Sequence, residues 1–149
     1  MAISIVIGSD HGGLALKGFL VDVLKKRGIP VEDVGAHSLE SCDYPRYAHE
    51  VAEKVLAGAP TGMLGILVCG TGLGMSMTAN RTPGIRAAVC TDEYMARMAR
   101  AHNNANILCL GERVVGPGLA QAILDAFLDT GFEGGRHQRR VEAIELPKA

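Results

Sequence analysis

The sequence predicts a single doubly wound α/β domain around a five-stranded parallel sheet. Its 149 residues suit one domain of ordinary size. It carries five short apolar runs that do not alternate with polar residues, the pattern of strands buried on both faces. Each run leads through a turn into a stripe of helical period, and strands alternating with helices build parallel sheets.

The elements follow in order. The opening residues 1–8 read as a first strand rather than a leader, since no basic stretch precedes the β-branched run at 3–8. Gly8-Ser9-Asp10-His11-Gly12-Gly13 turns into a helix whose apolar face is Leu16, Leu20, Val23 and Leu24, with Lys17, Lys25 and Lys26 expected to face elsewhere and Gly28 as its stop. Residues 31–34 form a short second strand. After a polar stretch, Asp43-Tyr44-Pro45 starts a helix with the stripe Ala48, Val51, Ala52, Val55 and Leu56. The third strand, 63–69, ends in Gly70-Thr71-Gly72-Leu73-Gly74 and a small-residue helix over 75–80. A fourth strand at 86–90 passes through the cap Thr91-Asp92 into a helix carrying Met95, Ala99 and His102. A fifth strand at 106–110 precedes a long helix marked by Leu119, Ile123, Ala126 and Phe127, and the tail closes on Arg136-His137-Gln138-Arg139-Arg140.

Composition narrows the function. Fifteen Lys+Arg against sixteen Asp+Glu give a net charge of −1, too balanced to grip a nucleic-acid backbone or an anionic membrane. Aromatic residues are 4% and Trp is absent, which leaves little for base stacking. No apolar run approaches the ~20 residues that span a bilayer. Cys42, Cys69, Cys90 and Cys109 are scattered, with no Cys-x-x-Cys pair, so reduced thiols and a cytoplasmic protein are expected. These exclusions favour small-molecule chemistry.

In a doubly wound sheet, ligands gather beyond the carboxyl ends of the strands. That rule selects Ser9-Asp10-His11, the Cys69-Gly70-Thr71-Gly72 turn, Thr91-Asp92, and Glu112-Arg113. Three glycines after Cys69 fit either an anion hole of inward backbone N–H groups or a tight strand-to-helix turn, and the thiol at that junction favours the first. Cys42, Cys90 and Cys109 read as small buried apolar residues. A dinucleotide fingerprint fails because Met75 stands where the third glycine belongs, and a P-loop Gly-Lys-Ser/Thr is missing. A phosphatase Cys-x5-Arg loop would need its arginine at that same Met75. None of His11, His37, His49, His102 and His137 stands in a metal-ligand spacing, so a metal-free site is expected. His11 and His102 stand out by position, beside strand or helix ends. Arg136 and Arg140, four apart, either offer two guanidinium forks to a phosphate or belong to a solvated basic tail.

Gly8–Gly13, Asp43-Tyr44-Pro45, Cys69–Gly74, His102-Asn103-Asn104 and Glu133–Val141 together resemble the ribose/galactose phosphate isomerase family, and within it the type B ribose-5-phosphate isomerases, almost end to end. The resemblance implies a Rossmann-like three-layer sandwich, with residues 1–149 as one sugar-phosphate isomerase domain. It implies a homodimer or dimer of dimers that interconverts ribose 5-phosphate and ribulose 5-phosphate, without metal or cofactor, in the pentose phosphate pathway. By the same resemblance, Cys69 is the general base, Thr71 relays protons, and the amides of Gly70, Gly72, Leu73 and Gly74 hold the enediolate oxygen. His102, aided by Asp10, opens the furanose ring, while Tyr44 and Asn103 line the sugar site. His11, Arg113, Arg136 and Arg140 hold the phosphate, the last two reaching a neighbouring subunit. Isomerisation of another sugar or of a six-carbon phosphate such as allose or galactose 6-phosphate, and sugar-phosphate binding without turnover, are the competing readings.

Overall fold

A computed structural model describes residues 2–145 and 147; Met1, Leu146, Lys148 and Ala149, which the sequence assigns to the same domain, lie outside them. The strands are β1 (Ser4–Ser9), β2 (Val31–Asp33), β3 (Met63–Cys69), β4 (Ala87–Val89) and β5 (Ile107–Gly111). All pair in parallel, in the order β2-β1-β3-β5-β4. The helices are α1 (Leu14–Lys26), α2 (Tyr44–Gly58), α3 (Leu73–Ala79), α4 (Glu93–Ala101), α5 (Pro117–Asp129) and α6 (Arg136–Glu142).

Alternate strand residues divide the core between two faces. Ile5, Ile7, Ile66, Val68, Leu108 and Leu110 meet α1, α4 and α5 on one side, through Leu20, Leu24, Ala96, Ile123 and Phe127. Val6, Leu67, Cys69, Ile107 and Cys109 meet α2 and α3 on the other, through Ala48, Val51, Val55 and Met75. This is the three-layer arrangement that unalternated apolar strands demand. Several strand and helix limits move by one residue from the sequence expectation, because pairing partners set the ends.

Three local expectations fare differently. Asp92 caps α4 as anticipated, accepting from Met95 N–H at 2.8 Å. Leu56, Met95 and Leu119, assigned to buried stripes, are exposed; their stripes are completed by smaller neighbours such as Ala96 and Ala120. Lys17 is corrected outright: it is only 1% exposed. Its ammonium donates to Asp33 Oδ1 at 2.7 Å and to the Ala36 carbonyl, so a charge inside the core is paired and hydrogen-bonded. It pins the turn that leaves β2. Ser9 N–H donates to Gly35 O at 2.7 Å, and Ala36 N–H to Ser9 O, which ties that turn to the end of β1.

The order in which strands are laid across the sheet reverses between β1, which β2 flanks on one side, and β3, which leads to β5 and β4 on the other. In doubly wound sheets ligands bind at such a switch point, here the carboxyl ends of β1 and β3. No helix among the described residues is long and apolar enough to cross a membrane.

Candidate active site

The switch point holds the first group of expected residues. Cys69 ends β3, 5% exposed, and Gly72 N–H donates to its Sγ at 3.0 Å, where it can stabilise negative charge on sulfur. Gly72 has φ +83°, and a Cβ there would lie 3.1–3.2 Å from the Leu110 backbone, so both conformation and space require glycine. Thr71 Oγ1 accepts from Leu73 N–H at 3.2 Å. Arg113 lies over the Cys69 turn, its Nη1 3.4 Å from where a Gly70 Cβ would stand. Tyr44 lies across α3: a Cβ on Gly74 would be 2.6 Å from its Cζ.

The end of β1 completes this wall. Asp10 Oδ1 accepts from Gly12 N–H at 2.9 Å, and a Gly12 Cβ would sit 3.6 Å from Gly70 N, so the two turns abut. His11 Nδ1 accepts from Cys42 N–H at 3.2 Å. That bond assigns the ring proton to Nε2, leaving Nε2–H as a donor for a ligand. Cys42, expected to be a small buried apolar residue, is instead half-buried with its sulfur 3.8 Å from His11 Nδ1. Glu112, expected beside the ligand, instead accepts from Leu16 N–H at 2.7 Å and caps α1. Burial pushes the Cys90 thiol up to about 11 and raises Cys109 as well, which leaves both as core residues.

The second group lies at the other end of the sheet. Strands β4 and β5 are parallel, so α4 must run from the carboxyl end of β4 back to the amino end of β5. His102, at its end, and Asn103 therefore sit where β5 begins. Ile107 pairs with Gly65 whereas Gly111 pairs with Cys69, and those four steps along the strand alone span about 13 Å. Helix α5 returns to this same end, and Glu133 N–H donates to Ala101 O at 3.0 Å. His102 Nε2 is 3.7 Å from Glu133 Oε1, and its ring stacks on His137, with centroids 4.1 Å apart and planes at 12°. Helix α6 buries His137 and Val141 and leaves Arg136, Arg139 and Arg140 exposed.

Within one chain, then, Asp10, His11, Tyr44, Cys69, Gly70, Thr71, Gly72, Leu73, Gly74 and Arg113 converge, while His102, Asn103, Arg136 and Arg140 form a separate cluster. No histidine stands in a ligand spacing along the chain, but the fold brings one donor atom each from His102, Glu133 and His137 within 4.8 Å of one another. Sequence reasoning passed over Glu133 and His137; their four-residue spacing was the only local signal.

A thiol, a glycine nest and a histidine donor at the switch point define a doubly wound α/β protein whose strand ends offer donors suited to a small anion. Residues 5–144 match the family described as Ribose/Galactose Isomerase. The chain is 51% identical over 140 residues to ribose-5-phosphate isomerase B of Escherichia coli strain K12, covering 94% of this chain and 93% of that one. Among solved structures, Clostridium thermocellum ribose-5-phosphate isomerase B superposes with a TM-score of 0.91 at 58% identity, covering 95% of this chain and 94% of its own. Ribose-5-phosphate isomerase B from Mycoplasma genitalium, solved with bound ribulose-5-phosphate, gives 0.92 at 45% identity, covering 97% and 95%. This chain belongs to the ribose/galactose isomerase family.

Proposed function

We propose that residues 1–149 act as one aldose-ketose isomerase domain that interconverts ribose 5-phosphate and ribulose 5-phosphate through an enediolate. The observation that carries this reading is the Cys69 sulfur held under the Gly72 amide at the switch point, beside Asp10 and His11. The names of the relatives supply the substrate.

The chemistry needs a base next to a carbonyl, a stabiliser for the developing oxyanion and a shuttle between adjacent oxygens. Cys69 takes the proton from C2 of the open aldose, and that bond pair becomes the C1–C2 double bond. The amides of Gly70 and Gly74 hold the negative oxygen, joined by those of Gly72 and Leu73 as they turn from Cys69 Sγ and Thr71 Oγ1, to which they donate at rest. Sulfur returns the proton to C1 while Thr71 carries the hydroxyl proton from O2 to O1, and the ketose results with all hydrogens accounted for. No redox partner is required.

The two groups at opposite ends of the sheet become one site if two copies pair so that each carboxyl end meets the other's amino end. A two-fold axis does this twice in one dimer. His102 of the partner subunit then opens the ring with Asp10, and Asn103 of the partner subunit lines the sugar beside Tyr44. His11 and Arg113 hold the phosphate together with Arg136 and Arg140 of the partner subunit. The exposed, unpaired guanidinium groups of α6 support this arrangement, since the described residues give them no ion pair.

The reading is tested by measuring ribulose 5-phosphate formation alongside allose and galactose 6-phosphates. Cys69→Ala is expected to keep the fold and phosphate binding while losing isomerisation by about 10²–10⁴-fold, the range of general-base catalysis. Near-normal turnover in that variant removes Cys69 from the mechanism.

A further inference from the structure

The group His102, Glu133 and His137 has a feature that sugar chemistry leaves unexplained. Three polar side chains converge, yet none is hydrogen-bonded to another: the Glu133 carboxylate stands 3.7 Å from His102 Nε2, beyond hydrogen-bond reach. His137 is 7% exposed, and among the described residues neither of its ring nitrogens makes a hydrogen bond. Those nitrogens are not among the buried atoms left without a partner, so they reach solvent and are open to a ligand.

We propose that His102, Glu133 and His137 form a site for a divalent transition ion of the zinc type, and that filling it withdraws His102 from the sugar. Two imidazoles and one carboxylate are a donor set that zinc takes at about 2.0–2.2 Å, whereas magnesium and calcium call for oxygen alone. Three protein donors leave a fourth position open to water.

The geometry dictates what binding does. Donors around a tetrahedral ion lie about 3.3 Å apart by those bond lengths, so the present spread of up to 4.8 Å must contract. His137 is held in the core by the buried face of α6, so it is the fixed donor. The side chains of His102 and Glu133 are 37% and 52% exposed, so they are the donors that must move. An imidazole lone pair lies in its ring plane, so two rings stacked at 12° cannot both aim at one ion. His102 must leave the stack to ligate, and the imidazole that serves the substrate becomes a ligand. Inhibition follows from the proposed role of His102 and rests on that reading; ion binding does not.

Zinc titration of the wild-type protein by calorimetry, in buffer free of phosphate and chelator, tests the site directly. One ion per chain is expected, with binding weakened by at least about tenfold in Glu133→Gln and again in His137→Gln, since each removes one of three donors. Cys42→Ser and Cys69→Ala should bind as wild type does. Glu133 is on the surface, so its variant keeps the test valid if the His137 variant folds poorly. Zinc should also suppress wild-type isomerisation, with EDTA restoring it, and Glu133→Gln should resist. Absence of saturable binding, binding that survives Glu133→Gln, or binding lost with either thiol overturns the site. Binding without inhibition in an active isomerase overturns the withdrawal of His102. A chain with no isomerase activity overturns the functional reading instead, and the titration still decides the ion site.

Discussion

The two ends of the sheet are built by different means. At the carboxyl end, the Cys69 turn is mostly backbone: amides, glycines and short Asx and ST turns, each closing over two or three residues. At the amino end, the cluster around His102 is made of side chains from three segments separated by more than thirty residues at the widest, held by burial of α6 and a ring stack. Backbone sites of the first kind are preorganised by local sequence. Side-chain clusters of the second kind exist only once the tertiary fold has formed, and they keep the freedom to move.

The strongest test of this division separates the ends genetically. Each charge-assisted hydrogen bond to phosphate contributes roughly 1.5–3 kcal/mol, so Arg136→Ala/Arg140→Ala should weaken substrate use by about 10²–10⁴-fold. A hybrid dimer of that variant with Cys69→Ala, purified through two tags, assembles one site from wild-type groups alone and one with both defects. About half the wild-type activity should return. A hybrid of Cys69→Ala with His102→Ala sharpens the comparison, since recovery there means that the whole amino-end cluster crosses between chains. Hybrids as inactive as their parents would mean that each chain completes its own site and would undo the division.

That difference also explains what was legible in the sequence. The limits of strand 63–69 and its glycine turn match the structure because an unbroken apolar run and glycines act locally. Asp10, His11 and Cys69 followed from the rule that ligands sit beyond strand ends. The same rule could not place His102, which ends a helix at the opposite edge. Nor does any spacing reveal that His137 meets His102, thirty-five positions away, or that Lys17 reaches Asp33 across the core. Lys17 falls at a helical position that charge alone assigns to solvent; its partners, Asp33 at the end of β2 and the Ala36 carbonyl just past it, are brought to it only by the fold.

Lys17 gives the next test. Lys17→Met keeps the length but leaves the Ala36 carbonyl unpaired and frees Asp33, which is partly solvated and recovers some hydration. A loss of about 1–3 kcal/mol in denaturant unfolding is expected. Because Ala36 and Gly35 are bonded to Ser9, the loosened turn should disturb the carboxyl-end wall, while zinc binding at the amino end stays as in wild type. Equal damage to both ends would mean that the two are mechanically one unit.

Gly74→Ala acts more gently on the same wall. The new Cβ meets the half-exposed Tyr44 ring, which can swing aside, and a helical Ala in place of Gly returns up to about 1 kcal/mol. Stability should therefore stay level. The displaced Tyr44 should raise KM several-fold, to about tenfold at most, the scale of a single lost contact near 1.4 kcal/mol. A fall in Tm with KM unchanged would make Tyr44 a packing residue instead of part of the sugar site.

The smallest effect is expected on α6 itself, at Arg139. Successive helical residues are about 100° apart, so Arg139 points about 180° from the middle of the face that buries His137 and Val141, while Arg136 and Arg140 flank that face on one side. All three guanidinium groups are exposed, so exposure cannot tell them apart; only their direction does. If the partner's strand ends receive the flank, Arg139 stays in water, and removing a solvated charge there should change stability by less than about 0.5 kcal/mol. Arg139→Ala should then alter kcat/KM by less than about twofold, with salt reducing even that, since a free charge acts on the phosphate only through screened solvent. A loss comparable to that of Arg136→Ala would mean that α6 meets the partner by its outermost face, and the pairing of the two ends would have to be redrawn with the helix turned by a quarter of a revolution or more.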